Sequence, residues 1–124
     1  VPEVAWSNPP AGTRSFAFTV YDPDAPTGSG WWHWVVVDVP ATAKAIVHGQ
    51  APQGAHGIRN DYGRTGWGGP CPPVGDPPHH YIFTIYALDV PTLSLPAHAS
   101  AAMAGFAIHA HMLGKARQVL RYGR

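Results

Sequence analysis

Three segments of the chain show the alternation or the apolar content that predicts β-strands. Residues 15–21 place Phe16, Phe18 and Val20 on one face of an extended segment. Residues 32–39 are β-branched and aromatic, and Pro40 follows them. Residues 81–88 place Tyr81, Phe83 and Ile85 on one face, with Ile82, Thr84 and Tyr86 on the other. These patterns predict a mainly β domain with antiparallel pairing.

The last third of the chain has a different pattern, which predicts a helix over about residues 97–118. This stretch contains no proline and is rich in Ala, Met and Leu. Several positions recur at the spacing of one helix face, namely Phe106, His109, Met112, Leu113 and Ala116. Lys115 and Arg117 would lie near its end, where they suit the helix dipole. Gly105 weakens the pattern and could divide two helices.

Composition narrows the function classes. Apolar residues make up 45% of the chain and charged residues only 12%, so disorder is not expected. Gly and Pro each occur 14 times, which disfavours a helix bundle. The net charge of +1 gives no basic footprint for nucleic acid. There is no apolar run long enough for a transmembrane segment, and Cys71, as the single cysteine, excludes an intrachain disulfide.

Three titratable residues continue the apolar rows of the predicted strands. Asp22 follows the row of Phe16, Phe18 and Val20, and His79 precedes the row of Tyr81 and Phe83. In the second strand, His33 is in phase with Val35 and Val37. If these strand ends meet, they form a polar pocket at the edge of an apolar sheet. Such pockets, with apolar walls and a few convergent polar groups, are typical of ligand sites.

Each of these residues also has a purely structural interpretation. Asp22 and Asp24 precede Pro or lie within a turn, so both could serve as turn caps. A single histidine at a strand end is often structural. His48, His56 and His98 are interpreted as loop residues, and Cys71 as a structural thiol. No His-x3-His or Cys-x2-Cys spacing occurs, so neither a metal nor another cofactor is predicted.

The sequence resembles a known protein family. Two blocks carry the resemblance: residues 21–40, YDPDAPTGSGWWHWVVVDVP, and the later segments RNDYG (59–63), GWGGPCPPVG (66–75) and PHHYIFTIYALD (78–89). They resemble the phosphatidylethanolamine-binding proteins, in particular the bacterial Raf-kinase-inhibitor-like branch. Residues 110–124 resemble the family's closing helix. The resemblance implies that residues 1–124 form one domain of this family, in which the N-terminal strand region is missing or shortened.

The resemblance implies a sandwich of antiparallel sheets with a C-terminal helix and a small anion pocket. By motif position, the ligand-binding residues are Asp22, Asp24, His33, His79 and Tyr81, with a rim formed by Gly68, Gly69 and Pro70. Backbone amides near Gly68 and Gly69 would complete the cradle. Trp31, Trp32 and Trp67 are expected around its mouth. A cis peptide at Asp22–Pro23 or a neighbouring bond is also expected.

Three functions stay open at this stage. The first is non-enzymatic binding of phosphate or phospholipid head groups. The second is an enzyme that uses His79, Asp22 and His33 for acid–base chemistry, in the rearrangement or cyclisation of a small molecule. The third, by analogy with relatives, is an interaction protein that modulates a kinase. A homodimer is also predicted. The compartment is not assigned, and both a cytoplasmic and a periplasmic or secreted location fit the sequence.

Overall fold

The architecture is described from a computed structural model of the chain. It describes residues 3–47, 49–68 and 79–122, with side chains described through residue 119. The described residues form seven strands and one helix: β1 (Val4–Ala5), β2 (Ser15–Asp22), β3 (Trp31–Pro40), β4 (Ala45–Ile46), β5 (His56–Ile58), β6 (His79–Leu88), α1 (Ala101–His111) and β7 (Met112–Tyr122). The three strands predicted from the sequence correspond to β2, β3 and β6.

Five strands form one antiparallel sheet in the order β5-β3-β2-β6-β7, and β1 pairs with β4 in a separate two-stranded sheet. β2 lies in the centre of the larger sheet, between β3 and β6. Its C-terminal residue Asp22 therefore lies beside the start of β6. This pairing brings the end of β2 and the start of β6, which belong to the two sequence blocks described above, to the same end of the sheet.

The large sheet is covered on both faces. One face carries a core that includes Phe16, Phe18, Trp34 and Phe83, and Ile46 of the small sheet packs into it. The other face carries a second core, in which strand residues contact the helix: Ala17, Val35, Val37, Leu88, Ala101, Ala104 and Ile108. The prediction of a mainly β fold with antiparallel sheets and a C-terminal helix is confirmed.

The predicted extent of the helix is wrong. The helix begins after Ser100, whose Oγ accepts a hydrogen bond from the Met103 amide at 3.1 Å, and it ends at His111. The following eleven residues form β7 and pair antiparallel with β6. They have good helix propensity, but the exposed edge of β6 offers them a full ladder of backbone hydrogen bonds, and tertiary pairing overrides propensity.

The predicted helix face is wrong as well. Phe106 is 82% exposed, whereas the buried helix residues are Ala101, Ala104 and Ile108. Their spacing of three and four residues also marks one face of a helix.

His56, which the sequence predicted to be a loop residue, lies in a short strand, β5. The described residues contain no cis peptide bond, so Asp22–Pro23 is trans. No helix in the described part of the chain is long and apolar enough to cross a membrane.

Candidate functional site

The centre of the candidate site is a buried pair formed by Asp22 and His79, which we call the inner pair. Asp22 is the last residue of β2 and His79 the first of β6, and the two strands are neighbours. Asp22 Oδ2 lies 2.7 Å from His79 Nδ1, and the two residues are 2% and 4% exposed. An ionised carboxylate can only accept, so His79 Nδ1 is the donor. The Nε2 atom of His79 is then the acceptor in the neutral ring and a second donor in the cation.

Asp22 also organises the turn after β2. Its Oδ1 accepts a hydrogen bond from the Asp24 amide at 2.8 Å, which is an Asx turn. The structural interpretation of Asp22 and the interpretation as a site residue therefore both apply, because the two carboxylate oxygens have different partners. The turn fixes the carboxylate, and the carboxylate fixes the His79 ring.

A second pair, Asp24 and His80, lies beside the inner pair, and we call it the outer pair. Asp24 Oδ2 accepts from His80 Nδ1 at 2.7 Å and from the His80 amide at 2.6 Å. The hydrogen bond from the His80 backbone amide, followed by the one from its imidazole, holds the pKa of Asp24 below its ordinary value. Partial burial of the carboxylate opposes this shift. The side chains of Asp24 and His80 are 40% and 45% exposed. Asp24 therefore lies at the edge of the site, in contact with solvent.

His33 reaches the site by a route that the sequence pattern did not indicate. Val20 pairs with Trp34, but Tyr21 pairs with Trp32, so His33 is the extra residue of a β-bulge. The predicted phase with Val35 and Val37 is wrong, because those valines pack in the core beneath α1. The bulge turns the His33 ring to the opposite face, where it contacts the rings of Tyr81 and Trp67.

Tyr81 lies against both buried imidazoles. The centroid of its ring is 5.2 Å from that of His33 and 6.5 Å from that of His79. His33 is 3% exposed, and its Nδ1 donates to the Gly68 carbonyl at 2.7 Å. The structure thus brings Asp22, His33, His79 and Tyr81 together at one end of the sheet. Both imidazoles are held through Nδ1.

The expected role of the rim amides is wrong for Gly68. Its amide donates to the His33 carbonyl at 3.1 Å, so it is directed at the protein. Gly68 is also sterically required, since a Cβ there would lie 2.5 Å from Cδ2 of Tyr62. Gly69, Pro70 and Cys71 lie outside the described residues.

The tryptophans are divided between the two faces of the sheet. Trp67 packs beside His33, Trp34 and Phe83, and Trp31 contacts Tyr62, which in turn contacts His33. Trp32, also expected at the mouth, lies against Tyr21 and the core beneath α1. The aromatic wall of the site is therefore formed by the described residues Trp31, Tyr62, Trp67 and Tyr81.

The sequence pattern predicted no role for Asn60, although this residue lies in the RNDYG motif. Asn60 is 4% exposed, and its side chain makes four hydrogen bonds that connect β3 to the loop of residues 60–68. The only signal in the sequence was its place in the RNDYG motif, since the burial of Asn60 is seen only in the structure. Among the described residues, no group of three or more His, Cys, Asp or Glu side chains is placed to hold a metal ion.

Comparison with known proteins identifies the family. A family model described as phosphatidylethanolamine-binding protein matches residues 1–123. The UPF0098 protein YbhB of Escherichia coli K12 is 49% identical over 121 residues, which are 93% of this chain and 76% of YbhB. YbcL of the same strain is 47% identical and matches 93% of this chain and 67% of its own length.

Solved structures agree with this result. The crystal structure of E. coli YbcL, described as a new member of the mammalian PEBP family, has a TM-score of 0.93 at 45% identity, covering 99% of this chain and 79% of that one. A PEBP homologue from Chlamydia trachomatis has a TM-score of 0.86 at 29% identity, covering 99% and 80%. The chain belongs to the phosphatidylethanolamine-binding protein family.

Proposed function

We propose that the chain binds a small anionic or phosphorylated ligand, such as phosphate or a phosphoethanolamine head group, between His33 and His79. One observation carries the proposal: two buried imidazoles contact the same Tyr81 ring, and each is anchored through Nδ1. Anchoring at Nδ1 fixes the orientation of Nε2, which is the atom that can donate to a phosphate oxygen when the ring is protonated.

The charge balance of the site favours an anion. When protonated, His33 and His79 carry two positive charges; Asp22 neutralises one of them, while the neighbouring Asp24 carboxylate is paired with His80. The aromatic side chains beside the imidazoles exclude water and strengthen each charge-assisted hydrogen bond. The family name supports the same ligand class, since the phosphatidylethanolamine head group contains a phosphate.

The substitution of histidine by asparagine tests this proposal, because Asn Nδ2 replaces Nδ1 of the ring while the Nε2 position is deleted. We expect His33→Asn and His79→Asn to remain folded and to weaken binding of inorganic phosphate and of phosphoethanolamine at least tenfold, measured by titration calorimetry. His56→Asn is the matched control, because the exposed His56 bonds Asp38 through Nδ1 at 2.8 Å outside the site. Unchanged phosphate affinity in both site variants would overturn the proposal.

The inner pair also favours a second candidate function. A carboxylate held at 2.7 Å from an imidazole is the arrangement that orients a general base. In this case His79 Nε2 would take a proton from a water molecule that attacks phosphorus, and the phosphoester would be hydrolysed to inorganic phosphate and its alcohol. Phosphorus NMR of phosphoethanolamine incubated with the protein separates the two functions: a new phosphate signal that His79→Asn abolishes supports catalysis, and an unchanged spectrum supports binding alone.

We also propose that a second copy of the chain covers the outer face of α1. Phe106 and Met103 are 82% and 47% exposed on this face. A hollow of about 570 Å³ lies beside Phe106 and is lined by Trp32, Gly105 and His109, so Phe106 of one copy can fill the hollow of the other. Light scattering should give a dimer that Phe106→Glu converts to a monomer, whereas Val119→Glu, at an exposed position on β7, should not. A monomeric wild-type chain would contradict this proposal.

A further inference from the structure

We propose that Asn60 is the positioning residue that fixes the His33 imidazole for ligand binding, a role that rests on the proposed function of the site. The His33 carbonyl and the Trp32 amide face the loop that follows β5, and backbone groups on this edge of β3 need partners there. Asn60 and Asp61 supply them. Asn60 Nδ2 donates to the His33 carbonyl at 3.2 Å, and Asp61 Oδ2 accepts from the Trp32 amide at 2.8 Å.

The Asn60 side chain uses its full hydrogen-bonding capacity. Besides the bond to His33, Nδ2 donates to the Gly66 carbonyl at 2.8 Å. Oδ1 accepts from the amides of Tyr62 at 2.9 Å and Arg64 at 3.1 Å. Two donors and two acceptors are all that an asparagine side chain offers. No other residue type of this size can bond two carbonyls and two amides at once.

These bonds connect to His33 from two sides. On the strand side, Asn60 holds the carbonyl of the bulged residue. On the loop side, it holds the turn that leads to Gly68, whose carbonyl accepts from His33 Nδ1 and whose amide donates to the His33 carbonyl. The same side chain thus sets both the backbone of His33 and the acceptor that selects the tautomer of its ring.

Asn60→Asp is the sharpest test, since it keeps the shape and the acceptor toward Tyr62 and Arg64. It places an oxygen against the carbonyls of His33 and Gly66, which repels both. We expect the inorganic phosphate dissociation constant to rise at least tenfold. Nitrogen NMR should show that His33 loses its preference for the Nδ1–H tautomer, while His79 keeps its own.

Ser15→Ala is the matched control. Ser15 is fully buried, and its Oγ donates to the Val90 carbonyl at 2.6 Å at the opposite end of β2 from Asp22. This variant loses a buried hydrogen bond without touching the site, so its His33 tautomer and phosphate affinity should equal those of the wild type. If Asn60→Asp does not fold, Asn60→Ser serves the same test, because it removes the amide donors without adding charge.

Two results overturn the inference: a folded Asn60 variant whose His33 tautomer matches the wild type, or a Ser15→Ala variant that changes the tautomer as much. If the wild-type chain does not bind phosphate, the proposed function fails. In that case the tautomer measurement still decides whether Asn60 positions His33, so the two failures are distinguishable.

Discussion

The inner and outer pairs have the same chemistry in different surroundings. Each joins an aspartate oxygen to a histidine Nδ1 at 2.7 Å. The inner pair has side chains only 4% and 6% exposed, whereas those of the outer pair are 40% and 45% exposed. His79 and His80 are adjacent on β6, and strand alternation turns one toward the core and the other toward solvent. Equal hydrogen-bond distances therefore do not imply that the two pairs contribute equally to stability or to the site.

Exposure to solvent determines how strongly each pair is held together. A buried pair is poorly screened, and removal of one partner leaves the other without compensation. An exposed pair exchanges its bond for hydration at little cost. The inner pair can therefore hold a ring rigidly for a ligand, whereas the outer pair mainly ties the turn after β2 to the start of β6.

The largest contrast is expected from removal of each histidine. His79→Ala should lower the free energy of unfolding by about 3–5 kcal/mol, because it leaves the Asp22 carboxylate buried and unpaired. His80→Ala should cost at most about 1 kcal/mol. Urea unfolding at pH 7 measures both. Equal losses would show that burial does not distinguish the two pairs.

A smaller effect is expected from Asp22→Asn. The two donors face different oxygens of Asp22, and asparagine keeps only one of these oxygens, so either the Asp24 amide or His79 Nδ1 loses its acceptor. We expect a loss of about 1.5–3 kcal/mol in urea unfolding, the range for a hydrogen bond to a charged group. The nitrogen NMR signals of His79 should report a changed tautomer. The account is contradicted if both stability and tautomer stay as in the wild type.

The pH dependence of the outer pair is smaller still. Because the pKa of Asp24 is lowered in the fold, its ionised form stabilises the protein above the unfolded pKa of about 4, and this contribution is lost as pH falls through the folded pKa. The stability difference between wild type and Asp24→Asn, well under 1 kcal/mol at pH 7 for so exposed a group, should shrink as the pH falls through the folded pKa of Asp24. Urea midpoints across this range measure it, and a difference that grows on acidification would show the opposite sign.

Salt should give the smallest effect. The coupling energy between Asp24 and His80 in a double-mutant cycle should fall from a few tenths of a kcal/mol to near zero in about 1 M salt, where screening acts within about 3 Å. The coupling between Asp22 and His79 should stay above about 1 kcal/mol. Equal salt sensitivity of the two couplings would argue that the inner pair is as hydrated as the outer one.

The sequence predicted the strands that position the site, because alternation in β2 and β6 is read directly from side-chain polarity. It placed Asp22 and His79 correctly on the face of Phe18 and Phe83. It failed at β7, where Ala, Leu, Lys and Arg favour a helix and only the free edge of β6 favours a strand. Such a competition is decided by a partner far away in the sequence.

His33 and Asn60 show a different limit. A one-residue bulge moves the preceding side chains of the strand to the opposite face of the sheet. The alternation of apolar residues therefore could not assign His33 to the right face. Its candidacy came also from the family resemblance, which does not depend on phase. Asn60 was missed because its importance lies in four bonds to backbone atoms of a loop, and a loop's internal geometry leaves little trace in composition.

The central claim is that the buried histidines, and not the exposed ones, bind the anion. Nitrogen NMR of all imidazoles during a titration with inorganic phosphate tests it most directly. The account predicts that the signals of His33 and His79 shift together along one saturable curve at millimolar phosphate, while those of His56 and His80 stay in place. Shifts confined to His56 and His80, or none at His33 and His79 in the folded protein, would contradict it.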